Sequence, residues 1–229
     1  MVELNSKRKY YPIVLILFIA GYLGAIFLDY HLNWLTMFMA GIVSLIILYG
    51  FSNLKLFFQP LSSPKLRILL KYALLMFVMQ LVVIVFISII YPQGLTSVNN
   101  VPLNPNNAPL NINASGIDYP LIERIWIIFT MMVSIVGEEV GMASISVPMI
   151  HLLSQTKLKK FAWPIVNIMG CILFGSLHIP HYHFNLIYPL IVGITRYPMT
   201  ASWRSANTLR SSIYIHWLAD SVLIIGTLI

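Results

Sequence analysis

Glu138 and Glu139 stand side by side within a long apolar stretch of the sequence. Ionisable groups in the core of a bilayer are costly to bury, and by default they mark functional sites. Adjacent side chains on a helix point about 100° apart, so one carboxylate can face a cavity while hydrogen bonds hold the other. A structural role at a helix end, or in an ion-paired anchor, is the alternative. The pair is therefore the first candidate for acid–base chemistry.

Two further pairs share the spacing i, i+4, namely Phe174 with His178 and His216 with Asp220. Residues at this spacing lie on one face of a helix. His216 and Asp220 can either share a water or direct two polar groups at one oxygen. Each pair alone is also typical of a packed core. The occurrence of both pairs after the two glutamates, each in its own apolar stretch, favours a common site.

The stretches that carry these residues have the length and composition of membrane helices. Of the 229 residues, 59% are hydrophobic and only 9% are charged, which is too few charges to cover the surface of a soluble domain. Several apolar runs reach the roughly 20 residues that a helix needs to cross a bilayer. The sequence therefore predicts an all-α fold, a polytopic transmembrane helix bundle with about seven membrane segments. The segments cover residues 12–28, 33–51, 68–91, 120–147, 161–179, 184–199 and 211–228.

The whole chain, residues 1–229, is expected to form a single integral membrane domain. Residues 1–118 would supply three helices and an external loop rich in Asn and Pro, and residues 119–229 would supply the catalytic core helices. The first apolar run has no convincing small-residue cleavage site, so we interpret it as a membrane helix and not as a signal peptide. Cys171 is the single cysteine, which excludes a disulfide framework and predicts a packed thiol.

The basic residues indicate an orientation in the cell membrane. The formal net charge is +7, and the basic residues form short clusters between apolar runs, which argues against a nucleic-acid partner. With a cytoplasmic N-terminus, 13 of the 14 Lys and Arg fall at the cytoplasmic side, Arg196 among the loop residues, and Arg124 is the exception. This bias follows the positive-inside rule. We therefore expect a multi-pass protein of the cell membrane, surrounded by the lipid bilayer.

The ordered set of motifs resembles the CAAX protease and bacteriocin-processing family, also called Abi membrane proteins. The family pattern is Glu-Glu-x-x-x-Arg, then Phe-x-x-x-His, then His-x-x-x-Asn or Asp. The match spans about residues 135–221, which is under half of the chain. The resemblance implies an intramembrane endopeptidase of the glutamate type. Its partner would be a peptide or membrane-protein substrate, such as a peptide pheromone, a bacteriocin precursor or a CAAX-type protein.

The resemblance also implies a role for each motif residue. Glu138 would be the general base for the attacking water, and His178 would hold and polarise that water. His216 would face the scissile carbonyl, with Asp220 chiefly orienting it. The two remaining motif residues would be Glu139 in a supporting position and Phe174 in contact with the substrate.

One position departs from the family pattern, because Ala143 stands where the arginine is expected, four residues after Glu139. In the family this arginine would hold the second glutamate by a charged hydrogen bond. Glu139 therefore needs another partner, or the activity is altered. A non-catalytic membrane scaffold or bacteriocin-immunity protein is the alternative function. A small transporter is a third, but it would show paired broken helices in two similar halves.

No cofactor is expected, and zinc is the alternative. His178, His181 and His183 follow a His-x-x-His-x-His spacing, and zinc accepts such ligands. The sequence lacks His-Glu-x-x-His, however, and Pro180 interrupts the helix that would align the histidines. His181 and His183 are therefore expected in an interfacial loop.

Helix lengths place a constraint on the proposed site. Glu138 and His178 each lie 20 residues from residue 158, or about 30 Å along ideal helices. His216 lies only six residues after Arg210, or about 9 Å. Straight helices of equal depth do not bring the three together. A bend at Pro148, with the following residues along the membrane surface, is one solution.

Overall fold

The computed structural model describes residues 7–28, 30–61, 63–90, 120–180 and 186–228. Within these ranges the regular elements are all helical. The α-helices, numbered in chain order, are α1 Tyr11–Phe27, α2 Tyr30–Tyr49, α3 Phe51–Leu54, α4 Ser63–Ile90, α5 Leu121–Ser154, α6 Ala162–His178, α7 Ile187–Ala206 and α8 Arg210–Leu228. Short 3₁₀ turns precede α1 and α6. The predicted all-α class is therefore confirmed.

Five helical stretches in the described ranges are long and apolar enough to cross a membrane. They are Arg8–Phe27, Leu32–Tyr49, Lys65–Ile90, Leu121–Ser154 and Lys159–His178. Large apolar side chains cover the outside of α4, where Leu74, Phe86 and Ile89 are each more than 60% exposed. Such a surface is suited to lipid. The helices suit an integral membrane protein, with five candidate spans among the described residues; the expected count of about seven stays a prediction.

Two helices run further than the sequence predicts. α5 continues through Pro148 to Ser154, seven residues past the predicted end at residue 147. α7 continues to Ala206, whereas the prediction ends at residue 199. The α7 extension contains the buried polar residues Thr200 and Ser202, which ended the apolar run in the sequence. Most of the predicted external loop, residues 91–119, lies outside the described residues.

The first two helices pack on the half of the chain that carries the candidate residues. α2 lies along both α1 and α5, while α6 packs on α7 and α4 packs on α7 and α8. A single apolar cluster joins Phe18 of α1 and Leu45 of α2 to Val140 of α5 and Trp203 of α7. The N-terminal helices therefore support the central helices directly.

Helices α2 and α5 approach each other closely beside the two glutamates. A Cβ atom added to Gly41 would lie 2.7 Å from the backbone N of Gly141, and one added to Gly137 would lie 2.6 Å from the backbone N of Phe38. Small residues spaced four apart allow two helix backbones to come this close. Because Gly137 and Gly141 flank Glu138 and Glu139, the contact with α2 sets the rotation of α5.

A segment after α2 covers the turn between α7 and α8. The backbone N–H of Leu209 donates to Phe57 O at 2.8 Å, and Thr208 Oγ1 donates to Gln59 O at 2.8 Å. Phe57, Thr208 and Leu209 are all fully buried. The buried part of the α7–α8 turn is therefore hydrogen-bonded to the backbone of another segment.

The α2–α5 contact predicts different effects for two Gly→Ala substitutions. Gly41→Ala is expected to lower stability by about 1–3 kcal/mol, because the new methyl group meets backbone that cannot move aside. Gly170→Ala is the control, since its Cβ would lie 3.7 Å from Met142 Cε, an ordinary contact. Thermal unfolding in detergent measures both. Equal stability of the two variants would contradict the close approach.

Candidate active site

Glu139 is the best-anchored polar residue of the site. It lies on α5 with no exposed surface. Its Oε1 accepts a charged hydrogen bond from Arg196 Nη1 and lies 3.0 Å from His216 Nδ1. Its Oε2 lies 3.3 Å from the indole nitrogen of Trp203. Three groups from α7 and α8 therefore converge on one carboxylate of α5.

Arg196 lies inside the protein and not in a loop, which corrects the sequence assignment. It is a residue of α7 with no exposed surface. Its guanidinium carbon lies 5.1 Å from the ring centroid of Phe174 and 5.2 Å from that of Trp203. Aromatic faces attract cations, so both rings stabilise the guanidinium. The Nε and Nη2 atoms of Arg196 have no hydrogen-bond acceptor among the described residues. An arginine within a predicted apolar segment, 184–199, was the signal in the sequence.

Arg196 supplies the charge that Ala143 cannot. Ala143 is completely buried and belongs to the apolar cluster between helices. The ion pair expected within one helix is formed between two helices instead, with Arg196 on α7 and Glu139 on α5. Glu139 was predicted to need another partner, and Arg196 is that partner.

His216 is oriented by Glu139. A carboxylate oxygen only accepts, so the 3.0 Å contact assigns a proton to His216 Nδ1. The other ring nitrogen, Nε2, lies 3.9 Å from Glu138 Oε2 and 3.7 Å from Asp220 Oδ2. The orienting contact expected from Asp220 is thus made by Glu139, while Asp220 lies near the opposite side of the ring.

Glu138 and Asp220 form the accessible part of the cluster. Their side chains are 28% and 32% exposed, whereas the side chain of His216 is 8% exposed. Both carboxylates lie too far from Nε2 for a direct hydrogen bond, but close enough for one water to contact a carboxylate and the imidazole together. The arrangement has the composition needed to take a proton from water.

His178 lies at the C-terminal end of α6 with a fixed ring. Its Nδ1 donates to Phe174 O at 2.7 Å, which fixes the orientation of the ring. The hydroxyl of Tyr22 on α1 donates to Leu177 O at 2.8 Å in the same turn. The end of α6 is thereby tied to α1.

Phe174 is the apolar centre of the site. Its ring centroid lies 4.6 Å from that of His178 and 5.9 Å from that of His216, and the Arg196 guanidinium lies over the same ring. With 3% exposure, Phe174 has little surface to offer a substrate. Its ring lies between the two imidazoles, and its contact with a substrate stays a prediction.

Glu139 and His216 meet although they lie at different distances from the ends of their helices. Glu139 lies 15 residues before the end of α5, about 22 Å, and His216 lies six residues after the start of α8, about 9 Å. Their contact at 3.0 Å nevertheless joins the two helices. The α7–α8 turn is itself hydrogen-bonded to the carbonyl oxygens of Phe57 and Gln59. Helix α5 continues past Pro148 to Ser154, and a bend at Pro148 stays a prediction.

A second layer of polar groups fixes Trp203. Its indole nitrogen donates to Ser212 Oγ at 2.6 Å, and Ser212 Oγ donates to Leu209 O at 3.0 Å. Ser211 and Ser202 pair nearby at 3.0 Å. The serines that precede His216 in the sequence therefore connect α8 to α7 at the level of the site.

The residues of the zinc alternative are only partly described. His181 and His183 lie outside the described residues. Within the described ranges, there is no group of three His, Cys, Asp or Glu side chains arranged to hold a metal ion. His178 lies in the site through its contacts with Phe174.

Comparisons with known proteins identify no relative. No family model, no curated protein and no solved structure matches the chain.

The Arg196–Glu139 pair predicts a large stability loss when one partner is removed. Arg196→Met leaves a buried carboxylate without its cation, and we expect a loss of about 3–5 kcal/mol. Arg67→Met, at an exposed position on α4, is the control and is expected to be nearly neutral. Thermal unfolding in detergent measures both variants.

The double variant Glu139→Gln/Arg196→Met provides the matched test of coupling. We expect it to lose less stability than the sum of the two single variants, because it leaves no unpaired buried charge. Strict additivity would contradict a direct ion pair.

Proposed function

We propose that this chain is an intramembrane endopeptidase that cleaves a peptide or membrane protein with a glutamate-activated water. The observation that carries the proposal is the position of Glu138. A partly exposed carboxylate lies 3.9 Å from the Nε2 of a histidine whose other nitrogen is anchored by a buried glutamate. Carboxylate and imidazole at this separation can hold one water between them.

The reaction is an ordinary hydrolysis in which Glu138 moves one proton. Glu138 takes a proton from the water, and the water oxygen attacks the carbonyl carbon of the scissile bond. The carbonyl oxygen carries the negative charge of the tetrahedral intermediate. The C–N bond then breaks, and the proton held by Glu138 passes to the departing amine. One water is consumed, and a carboxyl group and an amine are produced.

His216 and His178 have different parts in this scheme. His216 Nε2 faces the reacting groups and, when it carries a proton, donates a hydrogen bond to the oxyanion. Glu139 and Arg196 keep the ring in that orientation without contacting the substrate. His178, with Nδ1 bound to its own helix, directs Nε2 toward the attacking water.

Substrate and topology follow from the same proposal. The substrate is a peptide pheromone, a bacteriocin precursor or another membrane-embedded polypeptide, including a CAAX-type one. In the bilayer, α7 and α8 complete a bundle of about seven membrane segments, with the N-terminus in the cytoplasm. The basic turns at one end of the bundle support this orientation.

Arg196 removes one objection to catalysis. A non-catalytic scaffold or immunity protein was the alternative because Ala143 removed the expected partner of Glu139. That partner is present on α7, so the substitution at residue 143 no longer argues against catalysis. If the chain functions without Glu138, the scaffold or immunity function is favoured.

Glu138→Gln is expected to abolish cleavage at an unchanged protein level. The amide cannot accept the water proton, and loss of a general base costs about 10²–10⁴ in rate. Glu123→Gln, in the first turn of the same helix, is the control and should retain activity. Mass spectrometry of secreted and membrane peptides from matched cell lines identifies the missing product. An unchanged peptide profile would favour the scaffold function.

Asp220 is expected to tolerate an amide. Since Glu139 orients His216, Asp220→Asn should keep the rate within about tenfold, or 1.4 kcal/mol, of the wild type. Asp220→Leu removes the polar group near the carbonyl and should cost about 10²-fold or more. Equal, complete loss in both variants would mean that the carboxylate itself is required. The cleavage assay that serves for Glu138 measures both.

A further inference from the structure

Most of the basic residues lie at one end of the bundle. Arg124 begins α5 at the opposite end and Arg196 is in the site, which leaves twelve of the 14 Lys and Arg. The twelve precede α1, lie between α2 and the first turns of α4, follow α5, or border the α7–α8 turn. They are Lys7, Arg8, Lys9, Lys55, Lys65, Arg67, Lys71, Lys157, Lys159, Lys160, Arg204 and Arg210.

Four contacts join these segments at the same end. Two are backbone hydrogen bonds, Lys7 N to Leu48 O at 3.2 Å and Leu209 N to Phe57 O at 2.8 Å. The third joins α4 to α7 through the hydroxyls of Tyr72 and Ser205 at 2.9 Å. The fourth joins α7 to α6, where the Arg204 guanidinium lies 5.4 Å from the ring centroid of Trp163. The basic segments are therefore neighbours in space.

Acidic residues do not balance this charge within the described part of the chain. The Asp and Glu residues there are Glu123, Glu138, Glu139 and Asp220. Glu123 lies in the first turn of α5 at the other end, and the other three belong to the site. The ion pairs found among the described residues involve only Arg196 and His216 as cations. Among the described residues, the basic end therefore carries unbalanced positive charge, which suits an anionic ligand.

The best-formed part of this end is the niche between α6 and α7. We define it by Lys159, Lys160, Trp163 and Arg204. Arg204 and the two lysines are exposed, while Trp163 is half-buried. The first turn of α6 has no side-chain cap, so its N–H groups add partial positive charge beside the lysines.

We propose that the α6–α7 niche binds the phosphate of an anionic phospholipid. Guanidinium and ammonium groups bind phosphate oxygens, and basic niches between membrane helices hold anionic headgroups. Leu158 and Phe161, 46% and 59% exposed, lie in the same turn and provide apolar surface for an acyl chain. A tryptophan beside the cations suits the headgroup depth of a bilayer. These apolar groups favour a lipid over a soluble phosphate.

The experiment compares two lipids on the purified full-length protein. Native mass spectrometry in detergent counts bound phosphatidylglycerol and bound phosphatidylcholine at equal added concentrations. We expect the wild type to prefer phosphatidylglycerol. Arg204→Gln should weaken that binding about fivefold, the equivalent of about 1 kcal/mol for one cation near the surface. Lys159→Gln/Lys160→Gln should weaken it further.

Two controls make the result specific to the niche. Arg124→Gln removes a charge at the opposite end and should leave the lipid preference unchanged. Inorganic phosphate, added as a competitor, should displace little lipid. Equal binding of the two lipids, or equal loss in Arg124→Gln and Arg204→Gln, would overturn the proposal. Displacement by free phosphate would instead assign the niche to a soluble anion and overturn the lipid assignment.

Stability in lipid-free detergent serves as the folding check for each variant. If Arg204→Gln unfolds early, Trp163→Leu provides a second route, because it removes the aromatic surface under Arg204 and leaves every charge in place. It should weaken phosphatidylglycerol binding, and unchanged binding would count against the niche. The lipid proposal does not depend on catalysis, since Glu138→Gln should bind both lipids as the wild type does.

Discussion

The rest of the site depends on one buried carboxylate. Glu139 has no exposed surface, so its charge must be matched within the protein, because an unpaired ion in a low-dielectric interior costs several kcal/mol. Arg196 matches it from α7, His216 contacts it from α8, and the α2–α5 glycine contact fixes the rotation of the helix that carries it. Four helices are therefore joined by one ion pair, one contact between His216 and Glu139, and one close backbone approach.

The two adjacent glutamates differ in their surroundings: Glu139 is buried and ion-paired, and Glu138 is partly exposed. Because neighbouring helix residues point about 100° apart, Glu139 can be sealed into the core while Glu138 keeps 28% of its side chain exposed. Glu139 orients the imidazole of His216, and the far nitrogen of that ring faces Glu138 and Asp220. A histidine held on one side by a carboxylate and open on the other is a frequent way to position a catalytic group.

The sequence predicted the helical membrane class and the residues that cluster, but not what joins them. Glu138, Glu139, His216 and Asp220 could be selected because polar groups in apolar helices are rare. Arg196 was assigned to a loop because counting basic residues by position cannot distinguish an inward arginine from one at the surface. Pro148 lies within α5, which continues to Ser154, and the expected bend there stays a prediction. The α7–α8 turn is hydrogen-bonded to Phe57 and Gln59, a contact across about 150 residues that no local pattern reveals.

The most direct test concerns the proton on His216. We would record ¹⁵N NMR spectra of histidine-labelled protein in detergent, assigning the His216 signals by their loss in His216→Gln. We expect a protonated, hydrogen-bonded Nδ1 in the wild type, with Nε2 as the nitrogen that responds to Glu138→Gln. An unprotonated Nδ1, or a signal indifferent to both Arg196→Lys and Glu138→Gln, would mean that Glu139 does not hold the ring. The proposed site would then lose its organising contact.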